Sequence, residues 1–172
     1  MIEVQLVDNQ DNPRGTMEKL LAHEKGELHR ALSVIIVNSK NEILLQRRAL
    51  GKYHSPGLWT NTCCSHPFPG EDALDAANRR LQEEMGMTAN LKFVFKFLYK
   101  CDFENGLIEH ELDHVFMGRT DDTPHINTDE VMAFSWISIE NLDTQMEKNP
   151  DEYTFWFKLI IQNYRKSLNP YF

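Results

Sequence analysis

The sequence predicts a single domain of the mixed α/β or α+β class, in which strands dominate and two or three helices flank them. Most of its apolar segments alternate with polar residues or are short and rich in β-branched residues, as in strands. Two segments, residues 71–85 and the last 34 residues of the chain, instead follow the helical pattern. A chain of 172 residues buries enough surface to form one core without disulfides or a structural metal.

The first third of the chain is predicted to contain four strands and one short helix. The strands are expected at residues 2–7, 31–37, 42–46 and 58–64. Thr16 is expected to cap a short helix that ends at His23. A loop at residues 49–57, which contains Lys52 and His54, separates the third strand from the fourth.

The clearest helix is predicted at residues 71–85, followed by Gly86 as its C-terminal stop. Its apolar residues recur at helical spacing: Leu74, Ala77, Leu81 and Met85. Three further strands are expected at 91–103, 107–119 and 131–139. The segment 104–106 reads as a hairpin turn because Asn-Gly tolerates positive φ, and Pro150 suits a helix start in the C-terminal part.

Composition excludes several classes of function. Eighteen basic and 26 acidic residues give a net charge of −8, which disfavours a nucleic acid or an anionic membrane as the main partner. No apolar run approaches the roughly 18 residues of a membrane-spanning helix, and the N-terminal segment shows no signal-peptide pattern. The three cysteines, two of them adjacent, read as reduced thiols of a cytoplasmic protein.

The predicted helix at 71–85 carries a charged pattern that can be interpreted in two ways. Arg80 and Glu84 are four residues apart and so share a helix face, which by itself indicates a solvated ion pair. The wider pattern resembles the Nudix box, in which helix carboxylates bind a divalent metal on a diphosphate, through Glu71, Arg79, Leu81, Glu83, Glu84 and Gly86. Ser65 stands where that box begins with glycine, and Arg80 replaces a metal-binding glutamate of the hydrolases, which argues against hydrolysis.

Two more groups of residues could carry chemistry. Cys64 precedes His66 by two residues, which could be a metal pair, a reactive thiol or a coincidence. Glu109 and Glu111 would share one face of a strand and could bind one ion, although a charged solvent face gives the same pattern. His110 and His114 would point to the opposite face.

The pattern as a whole resembles the type I isopentenyl-diphosphate isomerases, which are Nudix-fold enzymes. The resemblance runs from residue 15 to about residue 156 and depends on ordered motifs: Ala22-His23, Leu28-His29, Arg47-Arg48-Ala49-Leu50, Pro56-Gly57-Leu58-Trp59-Thr60-Asn61, Cys64-Ser65-His66-Pro67, Arg79-Arg80, Glu84-Met85-Gly86 and Glu109-His110-Glu111. It implies a mixed sheet sandwiched between helices, one domain over residues 1–172, and double-bond transfer between isopentenyl and dimethylallyl diphosphate.

The resemblance also implies a role for each site residue. The metal ligands would be His23, His29, His66, Glu109 and Glu111, holding one manganese, zinc or magnesium ion. A second ion, magnesium bound with the substrate diphosphate, would be held by Glu84 and by the main-chain carbonyl of Cys64, and no flavin is expected. The diphosphate would contact Lys19, Arg48, Lys52 and Arg80.

The reaction explains why these residue types are needed. Protonating an unactivated alkene gives a tertiary carbocation, and loss of a proton from the neighbouring methylene completes the allylic product. Glu111, assisted by the Tyr99 hydroxyl, is expected to protonate, and Cys64 to remove the proton. Trp156 would place its π face against the cation, although its apolar surroundings are equally typical of core.

The sequence leaves two alternatives to the isomerase. One is a Nudix pyrophosphohydrolase acting on a nucleotide or prenyl diphosphate, and the other is a non-catalytic metal- or diphosphate-binding module. The expected partner is a small prenyl diphosphate, and the expected assembly is a monomer or a weak dimer.

Overall fold

Nine strands form one mixed sheet in the computed structural model, which describes residues 2–103 and 105–172. The strands are β1 (Glu3–Val7), β2 (Pro13–Glu18), β3 (His29–Val37), β4 (Glu42–Arg48), β5 (Trp59–Thr60), β6 (Cys63–Ser65), β7 (Lys92–Asp102), β8 (Ile108–Arg119) and β9 (Val131–Ser138). The helices are α1 (Lys19–Lys25), α2 (Ala73–Met85), α3 (Ile139–Lys148), α4 (Phe155–Asn163) and α5 (Arg165–Leu168), with short 3₁₀ turns at Pro150–Glu152 and Asn169–Tyr171.

The centre of the sheet is β3, which pairs in parallel with β8 along its whole length from His29 to Val37. The other strand pairs are antiparallel: β3 pairs with β1, β4 and β6, β4 with β5 and β9, β1 with β2, and β7 with β8. The sheet is therefore mixed.

The two faces of the sheet carry separate apolar cores. Along β3, Ile35 and Val37 pack with residues of α3, α4 and α5, whereas Val34 and Ile36 pack with residues of α2. This division follows from the two-residue period of a strand. A mixed sheet between two layers of helices confirms the predicted fold class. Among the described residues, no helix combines the length and the apolar character that crossing a bilayer requires.

The prediction of a helix capped by Thr16 was wrong. Thr16 lies in β2 and pairs with Gln5 of β1, and the helix begins only at Lys19, with the Glu18 carboxylate as its cap. β2 is mostly exposed, so its sequence carries no apolar alternation that could reveal a strand.

The single strand predicted at 58–64 is two short strands, β5 and β6, separated by Asn61 and Thr62. The side chains of these two residues bind the main chain of neighbouring strands: Asn61 donates to the Val34 carbonyl at 3.2 Å, and the Thr62 hydroxyl donates to the Leu44 carbonyl at 2.7 Å. Side-chain hydrogen bonds thus replace a continuous ladder there.

The other elements match their predictions to within a few residues. Helix α2 begins at Ala73 rather than at residue 71, because Asp72 caps it, and Gly86 ends it in the left-handed conformation at φ 62°. The hairpin between β7 and β8 forms as expected, with Gly106 at φ 80°, while Glu104 of the predicted turn lies outside the described residues. The C-terminal part is helical, and Tyr153 forms a bridge to Trp59 between its helices.

Candidate active site

Strand pairing assembles the centre of the candidate site. His29 of β3 lies directly opposite Glu111 of β8, and Glu111 lies opposite Tyr99 of β7. On the next part of β3, Ser33 lies opposite Cys64 of β6. Residues that are directly opposite on adjacent strands project to the same face, so the sheet places these side chains side by side.

Main-chain carbonyls orient two of the predicted histidine ligands. His23 of α1 directs its Nδ1 to the Lys19 carbonyl at 2.7 Å, and His29 directs its Nδ1 to the Glu27 carbonyl at 2.8 Å. Because a carbonyl only accepts, each Nδ1 must carry the proton, which leaves the Nε2 lone pair aimed into the site. This is the arrangement of metal-ligating histidines.

Three histidines surround one carboxylate oxygen. Glu111 Oε1 lies 2.8 Å from His66 Nε2, 3.5 Å from His29 Nε2 and 3.9 Å from His23 Nε2. The His29 and His66 Nε2 atoms are themselves 3.3 Å apart. These four residues form one group whose ligand atoms can reach a common ion.

Glu109 extends this group on one side. Its Oε1 lies 3.8 Å from His23 Nε2 and 3.0 Å from His54 Nε2. Both Glu109 Oε1 and His23 Nε2 are buried and have no hydrogen-bond partner in the described part of the chain. Buried polar atoms without a hydrogen-bond partner lower the stability of the fold unless a ligand binds to them. The nitrogen and oxygen donors therefore fit a divalent cation, and all five predicted ligands lie together.

The protonation states of these groups also suit a cation. Burial lowers the pKa of His23 to about 4, with the neighbouring His29 adding to the effect, and burial lowers the pKa of His66 well below its usual value. Burial and the charge of Glu111 raise the pKa of Glu109. Burial acts to raise the pKa of Glu111 too, but the close polar contacts of its carboxylate with His29 and His66 outweigh burial and lower that pKa. Neutral imidazoles beside a carboxylate are the forms that bind metals.

A cavity opens beside this group. It is lined by all four cations predicted to bind a diphosphate, Lys19, Arg48, Lys52 and Arg80, and by all four predicted catalytic residues, Cys64, Glu111, Tyr99 and Trp156. One cavity thus joins a cationic part to the carboxylates and the thiol.

The cations of the cavity have different partners. Arg48 is buried, donates to Cys64 Sγ at 3.4 Å and lies with its guanidinium carbon 5.4 Å from the centre of the Trp156 ring. Lys52 forms an ion pair with Glu130. Lys19 is half-buried, with its ammonium 5.2 Å from the centre of the Tyr53 ring.

Glu84, the predicted ligand of a diphosphate-bound magnesium, lies behind Arg80. It is 2% exposed, accepts from Arg80 Nη2 at 2.6 Å and from Gln46 Nε2 at 2.7 Å, and is not among the described residues that line the cavity. The interpretation of Arg80 and Glu84 as a solvated ion pair is therefore wrong for Glu84, because its carboxylate is buried.

The two adjacent cysteines have different environments. Cys63 is fully buried in the core beside α2, whereas Cys64 lines the cavity. Burial raises the pKa of the Cys64 thiol to about 11, although the nearby Arg48 acts in the opposite direction. Cys64 therefore holds its proton near neutral pH.

The predicted aromatic residues of the pocket are both buried. The Tyr99 hydroxyl donates to Glu111 Oε2 at 2.7 Å and lies 3.2 Å from Glu109 Oε2. Trp156 belongs to the apolar core and also lines the cavity, and its predicted role beside a carbocation stays a prediction.

Four polar residues of the cavity were missed by the sequence analysis: Ser33, Tyr53, His54 and Asp113. Asp113 continues the alternation of Glu109 and Glu111 along β8, so the two-residue period could have found it. No spacing rule points to His54, which a loop carries into the site. His110 and His114 bind elsewhere, to the Gly26 carbonyl and to Asp11, as the same alternation predicted.

The sequence is similar to that of several named proteins along most of its length. A NUDIX domain model matches residues 27–157. An isopentenyl-diphosphate Delta-isomerase of Pectobacterium atrosepticum is 55% identical over 94% of this chain and 90% of that protein. Isopentenyl-diphosphate Delta-isomerase 2 of Aromatoleum aromaticum is 51% identical over 92% of this chain and 84% of that protein.

The chain belongs to the isopentenyl-diphosphate Delta-isomerase family. This confirms the resemblance drawn from the ordered motifs. The chain also matches the NUDIX domain model. It therefore keeps the NUDIX fold although it carries Arg80 at a metal-binding position of the hydrolases.

Solved structures agree with the family's fold. The crystal structure of DR0079 from Deinococcus radiodurans has a TM-score of 0.70 at 20% identity, over 85% of this chain and 89% of that chain. A MutT NUDIX hydrolase from Burkholderia pseudomallei has a TM-score of 0.63 at 20% identity, over 78% of this chain and 96% of that chain. At this identity the likeness concerns the fold alone.

Proposed function

We propose that this chain, as one Nudix-like domain over residues 1–172, interconverts isopentenyl diphosphate and dimethylallyl diphosphate. The observation that carries the proposal is the single cavity in which four cations adjoin the Cys64 thiol and the Glu111 carboxylate. The family to which the chain belongs supports the substrate.

We propose that His23, His29, His66, Glu109 and Glu111 hold one divalent ion, which is manganese, zinc or magnesium. The buried Glu109 Oε1 and His23 Nε2, which lack hydrogen-bond partners among the described residues, support this assignment. When bound, the ion supplies positive charge beside Glu111. The chain's contribution is to fix these side chains through the sheet register and the carbonyl contacts of His23 and His29.

The diphosphate is proposed as the handle that positions the five-carbon chain. Lys19, Arg48, Lys52 and Arg80 would bind it, and a second magnesium ion would be bound with it through Glu84 and the Cys64 carbonyl. Binding a remote, unreacting group holds the reacting carbons in place for chemistry. Arg80 and Glu84 would have to part for both to bind as assigned, because they contact each other at 2.6 Å.

Cys64 and Glu111 are proposed as the pair that moves the proton. One group adds a proton to the terminal carbon of the alkene, and the other removes a proton from the neighbouring methylene of the resulting tertiary carbocation. The raised pKa of Cys64 and the lowered pKa of Glu111 give the protein one donor and one acceptor in the same cavity. The order assigned from the sequence, with Glu111 and Tyr99 as the donor, stays a prediction and requires Glu111 to be protonated when substrate binds.

Trp156 is proposed to stabilise the carbocation. Its buried ring faces the Arg48 guanidinium at 5.4 Å, so its π face is already oriented towards positive charge. Cation–π attraction reaches about 2 kcal/mol in a desolvated site. Enclosure by helix α4 would also keep water from quenching the cation.

Hydrolysis of a diphosphate is the second candidate, and Arg80 disfavours it. A guanidinium at this helix position repels a metal ion that a carboxylate would bind, and Arg80 instead engages Glu83, Glu84 and Glu130.

A cytoplasmic location is a further proposal, supported by the three free thiols.

Two substitutions test the assigned pair. Cys64→Ala and Glu111→Gln are each expected to abolish turnover while the diphosphate still binds, because neither removes a cation of the cavity. Turnover would be measured as deuterium incorporation from deuterated water, binding by calorimetry, and metal content in the same samples. Cys101→Ala is the control, because this thiol is only partly buried and lies outside the cavity. Near-full activity in either variant would refute the assignment.

A further inference from the structure

His54 has an unusual position for a loop residue. It lies between β4 and β5, yet its side chain is only 8% exposed. Its ring stacks on His23 at 5.7 Å and on Phe103 at 6.0 Å between centres, and contacts Trp156 edge-on at 5.8 Å. Arg48 donates to the His54 carbonyl at 3.2 Å. Both the ring and the main chain of His54 are therefore held in place.

The contact of His54 with Glu109 is close but is not a hydrogen bond. His54 Nε2 lies 3.0 Å from Glu109 Oε1, and this oxygen nevertheless has no hydrogen-bond partner in the described ranges. His23 Nε2 lies 3.8 Å from the same oxygen and also lacks a partner there. Glu109 Oε1 and His23 Nε2 thus keep electron pairs available for a ligand.

The same three atoms are close enough to share a ligand. The donor atoms of His23, His54 and Glu109 all lie within 4.8 Å of one another, and all three residues are buried. Donor atoms about 2.0–2.2 Å from one ion are separated by distances of this size. A buried set of two imidazoles and one carboxylate is a typical site for a divalent transition metal.

We propose that His54 is a further ligand of the divalent ion at this centre, binding through Nε2 beside Glu109. This inference rests on the proposed metal centre and adds a residue to it. The described residues form two groups of possible ligands that share His23, one with His29, His66 and Glu111 and the other with His54 and Glu109. One ion bound by both groups would have four imidazole and two carboxylate ligands. Six donors favour an ion that accepts octahedral geometry, such as manganese, over zinc, for which four ligands are the norm.

The strength of this ligand can be estimated from its surroundings. His23 and His29 each hold a carbonyl partner at Nδ1, whereas His54 Nδ1 is buried without a partner among the residues described. When the ring nitrogen that does not bind the metal donates a hydrogen bond, the basicity of the ligating nitrogen rises. We therefore expect His54 to contribute less than His23, and its loss to weaken metal binding by about tenfold, the low end of the range for groups that support a metal.

Metal binding to the purified, metal-free protein tests the proposal without reference to activity. Manganese would be titrated into the wild type, His54→Ala, His54→Gln and His125→Ala, with free manganese measured by its electron paramagnetic resonance signal. His54→Gln separates ligation from packing, because glutamine keeps a polar side chain of similar size beside Glu109 but its amide is a poor metal ligand. His125 is exposed and provides the control. The circular dichroism of the metal-free variants would check that each is folded.

We expect one ion per wild-type chain, about tenfold weaker binding in both His54 variants, and no change in His125→Ala. X-ray absorption of the manganese-loaded protein should count four imidazole ligands in the wild type and three in His54→Gln. Unchanged affinity and an unchanged count in the His54 variants would overturn the inference while leaving the metal centre intact. Wild-type protein that binds no ion would instead refute the centre itself.

Discussion

At the scale of single residues, Lys19 gives the clearest dependence on pH. Burial lowers the pKa of its ammonium to about 8, and the charge of Lys52 adds to the effect. The protonated form binds a diphosphate, so binding is strong below about pH 8 and is lost as the pH rises through this value. We expect kcat/KM for isopentenyl diphosphate to fall above pH 8, rather than near the ordinary lysine value of about 10.4.

The pH profile of Lys19→Arg checks this assignment at constant metal and ionic strength. Arginine stays charged over the whole range, so the decline above pH 8 should move to higher pH. Lys100→Arg is the control, because Lys100 is exposed on β7 and should leave the profile unchanged. A decline near pH 8 that persists in Lys19→Arg would assign it to another group.

Which residues could be predicted depends on how the chain brings them to the site. Glu109 and Glu111 follow from strand alternation, and Cys64 was chosen over Cys63 through its spacing to His66. His54 could not be predicted, because a loop has no periodicity that fixes the direction of a side chain. Asp113 was missed although the alternation applies to it, since its environment comes from Ser33, which lies far away in sequence.

At the scale of elements, helix α2 depends on its C-terminal glycine. Gly86 has a φ of +62°, and a Cβ added there would lie 2.5 Å from the His125 carbonyl oxygen. Gly86→Ala therefore meets both an unfavourable backbone conformation and a steric clash with main-chain atoms. We expect it to lower the free energy of unfolding by more than about 1 kcal/mol, and urea denaturation would measure the loss.

Gly70→Ala provides the matched control for this prediction. Gly70 has a φ of +77° with nothing within 4 Å of an added Cβ. Alanine at this position therefore has an unfavourable backbone conformation but no steric clash. The difference between the two variants isolates the clash with residue 125. Equal losses of stability would mean that the α2 end and the segment around residue 125 move apart easily, contrary to the His125 amide's 2.8 Å hydrogen bond to the Met85 carbonyl.

Elements with an apolar face could be predicted, and elements without one could not. Helix α2 was found because burial of one face imposes a helical period on its sequence. Strand β3 was found because it is buried on both faces and is therefore a short apolar run rich in β-branched residues. Strand β2 was missed since its residues are exposed and it is held by main-chain pairing with β1. The break between β5 and β6 depends on side-chain contacts of Asn61 and Thr62 with distant strands, which no local pattern records.

At the scale of the whole molecule, the net charge says little about the substrate. The chain carries a net charge of −8, yet the cavity beside the proposed metal ligands gathers four cations around one space. A low-dielectric cavity focuses the field of such a cluster, so an anionic diphosphate can bind to an acidic protein. The parallel pairing of β3 with β8 joins distant segments, so no local pattern predicts it. Only the family resemblance placed His29 and Glu111 in one site.

One measurement tests the central claim most directly: a proton and phosphorus NMR time course of the metal-loaded protein with isopentenyl diphosphate and magnesium in deuterated water. The account predicts new allylic methyl signals, deuterium in the product and an intact diphosphate. Release of inorganic phosphate or of a monophosphate would contradict it and support the hydrolase. An unchanged spectrum from folded, metal-loaded protein would equally contradict it, because the cavity would then bind without catalysing.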